Sequence, residues 1–450
     1  FEDRWDKKLL LKKKLLKAIE NNFIKFGAEA LETPSFEISE NIGSFLAEDE
    51  ANPMSDVFLF EDGEKNITLR YDLSSPLARF YAQNNQQLPS IFKRYQIQNV
   101  FRNEKAGNGR YREFLQADFD IVGNINPAQG NAELCNLISS TLSDCGLKRS
   151  QFTINVSNRK IVKGLIDDLK IPEEKQIKVI RAIDKLDKPG FGLKGVEDLL
   201  KKERKDQSGA ITKGADLSDE QTAQILNFLK IKDLKELKGC LKNSLSQEGI
   251  KELEDVFEVL GYGSNLNQVK TNFTIVRGLA YYSDFILETN LNFKVTNDKG
   301  KEVDIGSICS GGGYAKLISR FRGVDIPGTG ISFGVDRLLF ALTQLNQIKI
   351  RDQKPALVCV MDEKYLNNYY EIVDLLRSKD INAEIFLDSK KNLGKQLTLA
   401  NKRELSVAII CGENEFKDNT VTIKNLKGIK GENSLTVPKA DLINEVKKLI

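Results

Sequence analysis

Between residues 5 and 26, Trp5, Leu9, Leu15, Leu16, Ile19, Phe23 and Phe26 recur near helical spacing with lysines between them, and Gly27 follows as a stop signal. The pattern predicts an amphipathic helix whose lysines form a solvated face. From 57 to 123 the texture changes to strand-like alternation in Val57 to Phe60, Ile67 to Leu73, Ile91 to Arg102 and Arg112 to Val122, which predicts an antiparallel sheet. Residues 161–268 read as short helices rich in Lys, Leu, Asp and Glu, with loop signals at Lys188-Pro189-Gly190 and Ser208-Gly209. Strand-type sequence returns from 271 to 333. Beyond a linker around Ile350 to Pro355, the apolar runs Ala356 to Met361, Ala383 to Leu387 and Val407 to Cys411 alternate with helical stretches at 364–378 and 393–404. That grammar predicts a compact α/β domain with a buried, largely parallel sheet.

The 450 residues carry 67 Lys+Arg against 64 Asp+Glu, a formal charge of +3 that excludes a wholly basic nucleic-acid-coating protein. A hydrophobic content of 40% supports real cores, and the length suggests several domains. The chain contains no histidine, which removes every mechanism that needs an imidazole, from Ser-His-Asp triads to His-ligated metals. Catalysis must then use Arg, Lys, carboxylates, amides, hydroxyls or bound metal ions. Six cysteines are scattered without CxxC pairs, and buried reduced thiols are expected. No apolar stretch is long enough to span a bilayer, and Phe1-Glu2-Asp3-Arg4-Trp5 has no signal-peptide pattern, so no membrane association and a cytoplasmic location are expected. The first residue is not Met, and whatever precedes it lies outside this sequence.

Four segments carry candidate chemistry. In Val100 to Glu104 and Arg110 to Asp120, side chains alternate across a strand, so Leu115, Ala117, Phe119 and Ile121 share one face while Arg112, Gln116, Asp118 and Asp120 share the other. Arg102 and Glu104 have matching parity, and the intervening Gly-containing loop with Arg110 can fold over phosphates. An exposed hairpin covered by cross-strand ion pairs is the other reading of the same residues. In Leu69 to Ser74, alternation sets Arg70, Asp72 and Ser74 on one face and Leu69, Tyr71 and Leu73 on the other, as a neighbouring strand of the same cleft. In Val276 to Tyr282, an apolar strand runs into Arg277 beside Tyr281 and Tyr282. Gly330 to Leu339 reads as a strand, a Gly break and a helix with Arg337 in its first turn, against the helix dipole, which suggests an anionic ligand.

These residues carry a family resemblance. Phe101-Arg102-Asn103-Glu104 with the loop and Arg110-Tyr111-Arg112-Glu113-Phe114 resembles motif 2 of the class II aminoacyl-tRNA synthetases; Gly330 to Arg337 resembles motif 3, and Glu32-Thr33-Pro34 resembles motif 1. Thr68 to Leu73, Gln116 with Asp120, and Arg277-Gly278-Leu279-Ala280-Tyr281-Tyr282 are similar to the histidyl-tRNA synthetase family, in spellings that resemble a divergent bacterial subgroup. Leu393 to Leu397 and Ala400 to Arg403 resemble that family's anticodon-binding region.

The resemblance implies an α+β catalytic core with an antiparallel sheet (residues 1–160 and 269–345), a helical insertion (161–268) and a C-terminal α/β anticodon-binding domain (353–450). It implies activation of L-histidine by ATP and Mg²⁺ to histidyl-adenylate, transfer to tRNA(His), and a homodimer built through motif 1. Arg102 would grip the α-phosphate, Glu104 and Arg110 would orient ATP, and Arg337 would hold the far phosphates. Arg277 would stabilise charge at the α-phosphate. Asp72, Ser74 and Gln116 would hold the amino end of histidine, with Asp120, Tyr281, Tyr282 and Tyr314 around the imidazole. The sequence departs from the family at Ala280, where an acid is usual, and at Gly313 and Ala315 in the glycine-rich element. Charge over residues 351–450 is nearly balanced, so RNA contact would depend on local clusters such as Lys424, Lys427 and Lys430, which a solvated lysine edge explains equally. Two rivals share the core: a synthetase-like regulatory subunit of ATP phosphoribosyltransferase in histidine biosynthesis, and an amide-forming ligase. Regulatory paralogues typically lack the insertion and the anticodon domain.

Overall fold

The N-terminal pattern folds as helix α1 (Asp6–Lys25), with Leu15, Ile19 and Phe23 fully buried. The Phe23 ring packs against Tyr95, Phe119 and Phe333 at centroid distances of 5.9, 5.7 and 6.2 Å, which fastens the helix to the inner sheet face. The computed structural model describes all residues except 1, 2, 4, 43–56, 105, 106, 108, 188, 189, 206–210, 262–265, 277–281, 283, 298, 299, 304, 346–353, 389, 390 and 428–432. The chain divides into two units, Phe1–Lys349 and Ile350–Ile450.

The first unit is built on an eight-stranded sheet: β1 (Glu29–Ala30), β2 (Ile91–Phe101), β3 (Glu113–Gly123), β4 (Phe152–Asn158), β5 (Val269–Thr271), β6 (Phe285–Leu291), β7 (Cys309–Gly313) and β8 (Gly328–Gly334). Their order is β1-β2-β3-β8-β7-β6-β4-β5, antiparallel except for the parallel edge pairs β1–β2 and β5–β4. Pairing of Gln96 with Asp118, Asp118 with Ser332 and Ser332 with Ser310 places even-numbered residues of the four central strands on one face. The odd-numbered residues Leu115, Ala117, Phe119, Ile331 and Phe333 are buried on the other. Helices α1, α3 (Pro127–Asp144) and α5 (Val335–Leu345) pack with this apolar side.

Alternation over Ile67 to Ser74 does not make one strand of this sheet. The strand stops at Leu69 and belongs to a separate three-stranded sheet, Phe36–Ile38, Lys65–Leu69 and Leu59–Asp62. Residues 70–73 cross as irregular chain, and α2 (Ser74–Asn84) begins at Ser74. The apolar stretch before residue 277 is likewise no strand, since β5 ends at Thr271 and a turn follows. Residues 159–261 contain six helices among the described residues, from Arg159–Asp168 to Ser244–Gly261. These two end helices are joined by Ser246 Oγ donating to Ile161 O at 3.0 Å, and Asn158 Nδ2 donates to Glu252 at 2.6 Å.

The second unit has a five-stranded sheet: β9 (Ala356–Val358), β10 (Ala383–Ile385), β11 (Val407–Ile410), β12 (Thr420–Asn425) and β13 (Ser434–Pro438), ordered β10-β9-β11-β12-β13. The three apolar runs form its parallel part, and the two polar strands after residue 419 add antiparallel. Among the described residues no helix is long and apolar enough to cross a membrane. All six cysteines are unpaired, five of them buried, and burial pushes the Cys135, Cys359 and Cys411 thiols up to about 12.

Candidate active site

The chain leaves the sheet after β2 at Arg102 and re-enters it at Arg112, whose carbonyl accepts Arg102 N–H at 2.8 Å. The Arg102 guanidinium lies 4.3 Å above the Tyr71 ring and 5.2 Å from that of Phe114, and its Nε donates to Tyr71 O at 3.2 Å. Tyr71 Oη donates to Glu104 Oε1 at 3.2 Å, with Arg102 Nη1 3.9 Å from the same oxygen. The irregular segment before α2 therefore forms the bed on which both motif 2 side chains rest.

Arg337 reaches the cleft from the first turn of α5. Its neighbour Asp336 accepts Leu115 N–H at 2.9 Å and lies 3.4 Å from Lys12 Nζ, which ties the helix start to β3 and α1. Lys12 is thus buried, although lysine periodicity in α1 predicts only a solvated face. Arg337 Nη1 donates to Ser307 O at 2.9 Å, and Gly109, with φ +67°, passes beside the Arg337 backbone. Burial, reinforced by the nearby Arg110 and Arg102 cations, pushes Arg337 down to about 10, so it remains charged at neutral pH. These three guanidiniums line an open cleft together with Glu104, Gln116, Ser310 and Ser332. Crowding like charges costs free energy that a bound anion would offset, so the cleft is chemically suited to an anionic ligand.

Further along the same sheet face lies a buried acidic cluster. Asp120 is paired to Arg94 Nη2 at 2.8 Å and accepts the Tyr314 hydroxyl; all three side chains are essentially inaccessible. Gly330 lies opposite Asp120 in the pairing, and a Cβ there would overlap the carboxyl, which explains the glycine. Asp72 Oδ1 accepts Ser75 N–H at 3.2 Å at the start of α2, and Ser74 is buried beside it. The Tyr282 and Tyr314 rings are 6.5 Å apart. Gln116 Nε2 donates to Ser332 Oγ at 2.9 Å. Burial drives the Asp118 carboxyl up to about 7, with Asp120 and Asp72 acting in the same direction and Arg94 and Ser332 against it.

The structure accordingly gathers Arg102, Glu104, Arg110, Arg337 and Gln116 around the cleft, and brings Asp72 and Tyr314 to Asp120 with Tyr282 beside Tyr314, whereas Ser74 is buried at the start of α2. Arg277 and Tyr281 lie outside the described residues. Arg70 turns away: Nη1 donates to Thr33 O at 2.7 Å and to Gln98 Oε1 at 2.9 Å, and Nε donates to Asn99 O at 2.6 Å, so it anchors the Thr33-Pro34 segment. Alternation in the sequence sets Asp118 on the polar face of its strand and Tyr71 on an apolar one but gives neither a role, and Arg94 is not singled out. The shared even parity of Arg94, Asp118 and Asp120 was the available signal for Arg94 and Asp118.

A family model described as histidyl-tRNA synthetase matches residues 1–338, and one described as an anticodon binding domain matches 355–449. The chain is 74% identical to a histidine–tRNA ligase of Pelagibacter ubique, over all of this chain and 97% of the relative. Histidyl-tRNA synthetase from Nostoc sp. PCC 7120 superposes with a TM-score of 0.77 at 28% identity, covering 100% of this chain and 98% of that one. A Bacillus halodurans C protein described as an ATP phosphoribosyltransferase regulatory subunit/histidyl-tRNA synthetase shares the fold at a TM-score of 0.69 and 19% identity, covering 89% of this chain and 94% of its own. Fold likeness alone therefore does not separate enzyme from regulator, whereas full-length identity and the matched C-terminal domain favour the enzyme. Both the motif geometry and these matches lead to one conclusion: the chain belongs to the histidyl-tRNA synthetase family.

Proposed function

We propose that this protein activates L-histidine with ATP to histidyl-adenylate and transfers the histidyl group to tRNA(His). The observation that carries the reading is the convergence of Arg102, Arg110 and Arg337 on one cleft, on the sheet face that also carries a buried acidic cluster. Arg102 takes the α-phosphate, Glu104 and Arg110 orient the nucleotide, and Arg337 takes the far phosphates. The histidine carboxylate attacks the α-phosphorus and pyrophosphate leaves; the attacking group is already ionised, so no general base is needed. Arg277, outside the described residues, is assigned to the charge developing at the α-phosphate. Asp72, Ser74 and Gln116 hold the amino end, and Asp120, Tyr281, Tyr282 and Tyr314 enclose the imidazole, Asp120 through the Tyr314 hydroxyl.

Among the described residues no group of three metal-ligating side chains occurs, and the carboxylates acting on Arg337 are Glu104 and Glu288. That set suits a Mg²⁺ carried by the triphosphate, which keeps most of its waters and needs one or two carboxylates. When bound, the ion would neutralise phosphate charge.

Residues 1–160 and 269–345 form the catalytic core in this reading, 161–268 the insertion and 353–450 the anticodon-binding domain. In the last, Lys424 is half-buried and Lys427 exposed, while Lys430 lies outside the described residues. A homodimer is supported by the exposed Phe36, Ile38, Leu59 and Phe60 on the three-stranded sheet next to Pro34. Charged tRNA is consumed by translation, so the reading places the protein in the cytoplasm. The test is pyrophosphate exchange with each amino acid in turn, followed by charging of purified tRNA. Exchange supported by histidine alone, with charging, is expected; exchange with another amino acid, or with none, overturns the reading.

A further inference from the structure

The helix that follows β4 starts with its charges reversed. Strand β4 ends at Asn158 and turns directly into the helix Arg159–Asp168, whose first turn carries Arg159 and Lys160 and no acidic residue. Cations at a helix N-terminus run against its dipole, so both side chains answer another demand. Lys160 Nζ is met by Glu248 at 2.6 Å and Glu252 at 2.5 Å, both on the helix Ser244–Gly261, and by Asp284 at 3.5 Å. The two helices approach closely there, since a Cβ on Gly249 would come within 3.0 Å of Lys160 Cβ. Arg159, half-buried, instead sends Nη1 to the carbonyl of Tyr282, donating at 2.5 Å.

Strand register explains why that bond is needed. Strands β4 and β6 pair antiparallel as far as Asn158 opposite Phe285, and Arg159 N–H adds one more bond, to Asp284 O at 2.9 Å. In an antiparallel ladder such bonds recur at every second residue, so the next donor to Tyr282 O would be the N–H of residue 161. Ile161 has already turned into the helix and is buried there. The Arg159 guanidinium supplies the missing bond, and the chain at Tyr282 is held although the sheet has ended. The Tyr282 ring lies on the face of the sheet that carries the site: its Cδ1 would be 3.1 Å from a Cβ on Gly312, and Gly312 pairs with Gly330, which pairs with Asp120. The same ring is 6.5 Å from that of Tyr314, whose hydroxyl bonds Asp120.

Resting on the reading of Tyr282 as a wall of the histidine pocket, we propose that Arg159 is a positioning residue for histidine activation: by holding the Tyr282 carbonyl it fixes the ring that stands beside Tyr314. Arg159 is not among the residues that line the cleft with Arg102, Arg110 and Arg337, so its loss acts on histidine and leaves the nucleotide grip intact. Lys160 has the complementary task. With Glu248, Glu252 and Asp284 it fastens the two helices and the start of β6 to one another, so that the Arg159 side chain reaches out from a fixed backbone. Arginine suits the position because its planar head, on a longer stem than that of lysine, donates in a fixed direction.

The test is histidine-dependent pyrophosphate exchange by the full chain, with histidine and ATP varied separately and urea unfolding of each variant run alongside. Arg159→Met keeps an unbranched stem and removes the donors; its histidine KM should rise about tenfold, the scale of one hydrogen bond from a charged donor, with the ATP KM within about twofold of wild type. Arg159→Lys, whose ammonium falls short of the place of Nη1, should lie between, at about threefold. Ser246→Ala controls for general loosening: it removes the bond to Ile161 O between the same two helices without touching residues 282–284, and its histidine KM should stay at the wild-type value whatever stability it loses. A folded Arg159→Met enzyme with wild-type histidine KM overturns the assignment, as does an equal rise in both KM values or a rise of the same size in Ser246→Ala. Should Arg159→Met not fold, Arg159→Lys decides, and an unchanged histidine KM there overturns the assignment as well. Wild-type protein that shows no histidine-dependent exchange overturns the functional reading instead, which keeps the two failures distinct.

Discussion

Replacing Tyr71 by leucine removes two supports of the proposed nucleotide grip while leaving every proposed phosphate ligand in place. The ring lies 4.3 Å beneath the Arg102 guanidinium, and its hydroxyl donates to Glu104 at 3.2 Å. A partly desolvated cation–π contact contributes about 1–2 kcal/mol. A hydrogen bond to a charged group contributes about 1.5–3 kcal/mol, and the Glu104 side chain is 41% exposed, which reduces this to about 1 kcal/mol. The sum, about 2–3 kcal/mol, corresponds to a roughly 30- to 150-fold fall in kcat/KM for ATP. Tyr71→Phe loses only the hydroxyl bond and should cost about fivefold. The assay is histidine-dependent pyrophosphate exchange over a range of ATP concentrations, with thermal unfolding of both variants to confirm that the buried position still packs. A folded Tyr71→Leu enzyme within threefold of wild type would refute the idea that this ring sets Arg102.

Three further outcomes follow from the same geometry. Gly330→Ala drives a methyl into the Asp120 carboxyl, so its histidine KM should rise more than its ATP KM; equal changes in both would contradict a pocket-specific role. The folded-state pKa of Asp118 is raised from 3.8 to about 7. The folded chain therefore keeps a proton that the unfolded chain releases, and the associated stability is present below about pH 4 and lost as the pH rises to about 7. Urea midpoints should show Asp118→Asn gaining on wild type between pH 5 and pH 8, and parallel midpoints would show that the carboxyl is not strained. Phe60→Glu places a charge in the exposed apolar patch of the three-stranded sheet, so light scattering should report dissociation of the proposed dimer; an unchanged mass would exclude that patch as the interface.

Much of the core is readable from alternation alone, because a half-buried strand must put one parity on the helices and the other toward the cleft. Leu115, Ala117, Phe119 and Ile121 against Gln116, Asp118 and Asp120 is such a case. Apolar periodicity also marks α1 and the three parallel strands of the second unit. Parity fails at Arg70 to Ser74, since irregular chain can carry the same alternation without sheet partners. Strands β12 and β13 have a more polar, partly exposed pattern that periodicity registers weakly. Which charged groups become buried is decided by partners distant in sequence. Lys12 is buried through Asp336, Arg94 through Asp120, and Arg70 through carbonyls at Thr33 and Asn99. The motif resemblance pointed to residues that line one cleft, but the contacts of Tyr71 with Arg102 and Glu104 exist only in three dimensions.

The most direct measurement of the central claim is the single-turnover rate of histidyl-adenylate formation by Arg102→Ala, with histidine binding measured in parallel. Loss of a cation aimed at the reacting phosphate should slow adenylate formation by roughly 100-fold or more, while histidine affinity stays near wild type. Adenylate forming within a few-fold of the wild-type rate would contradict the account.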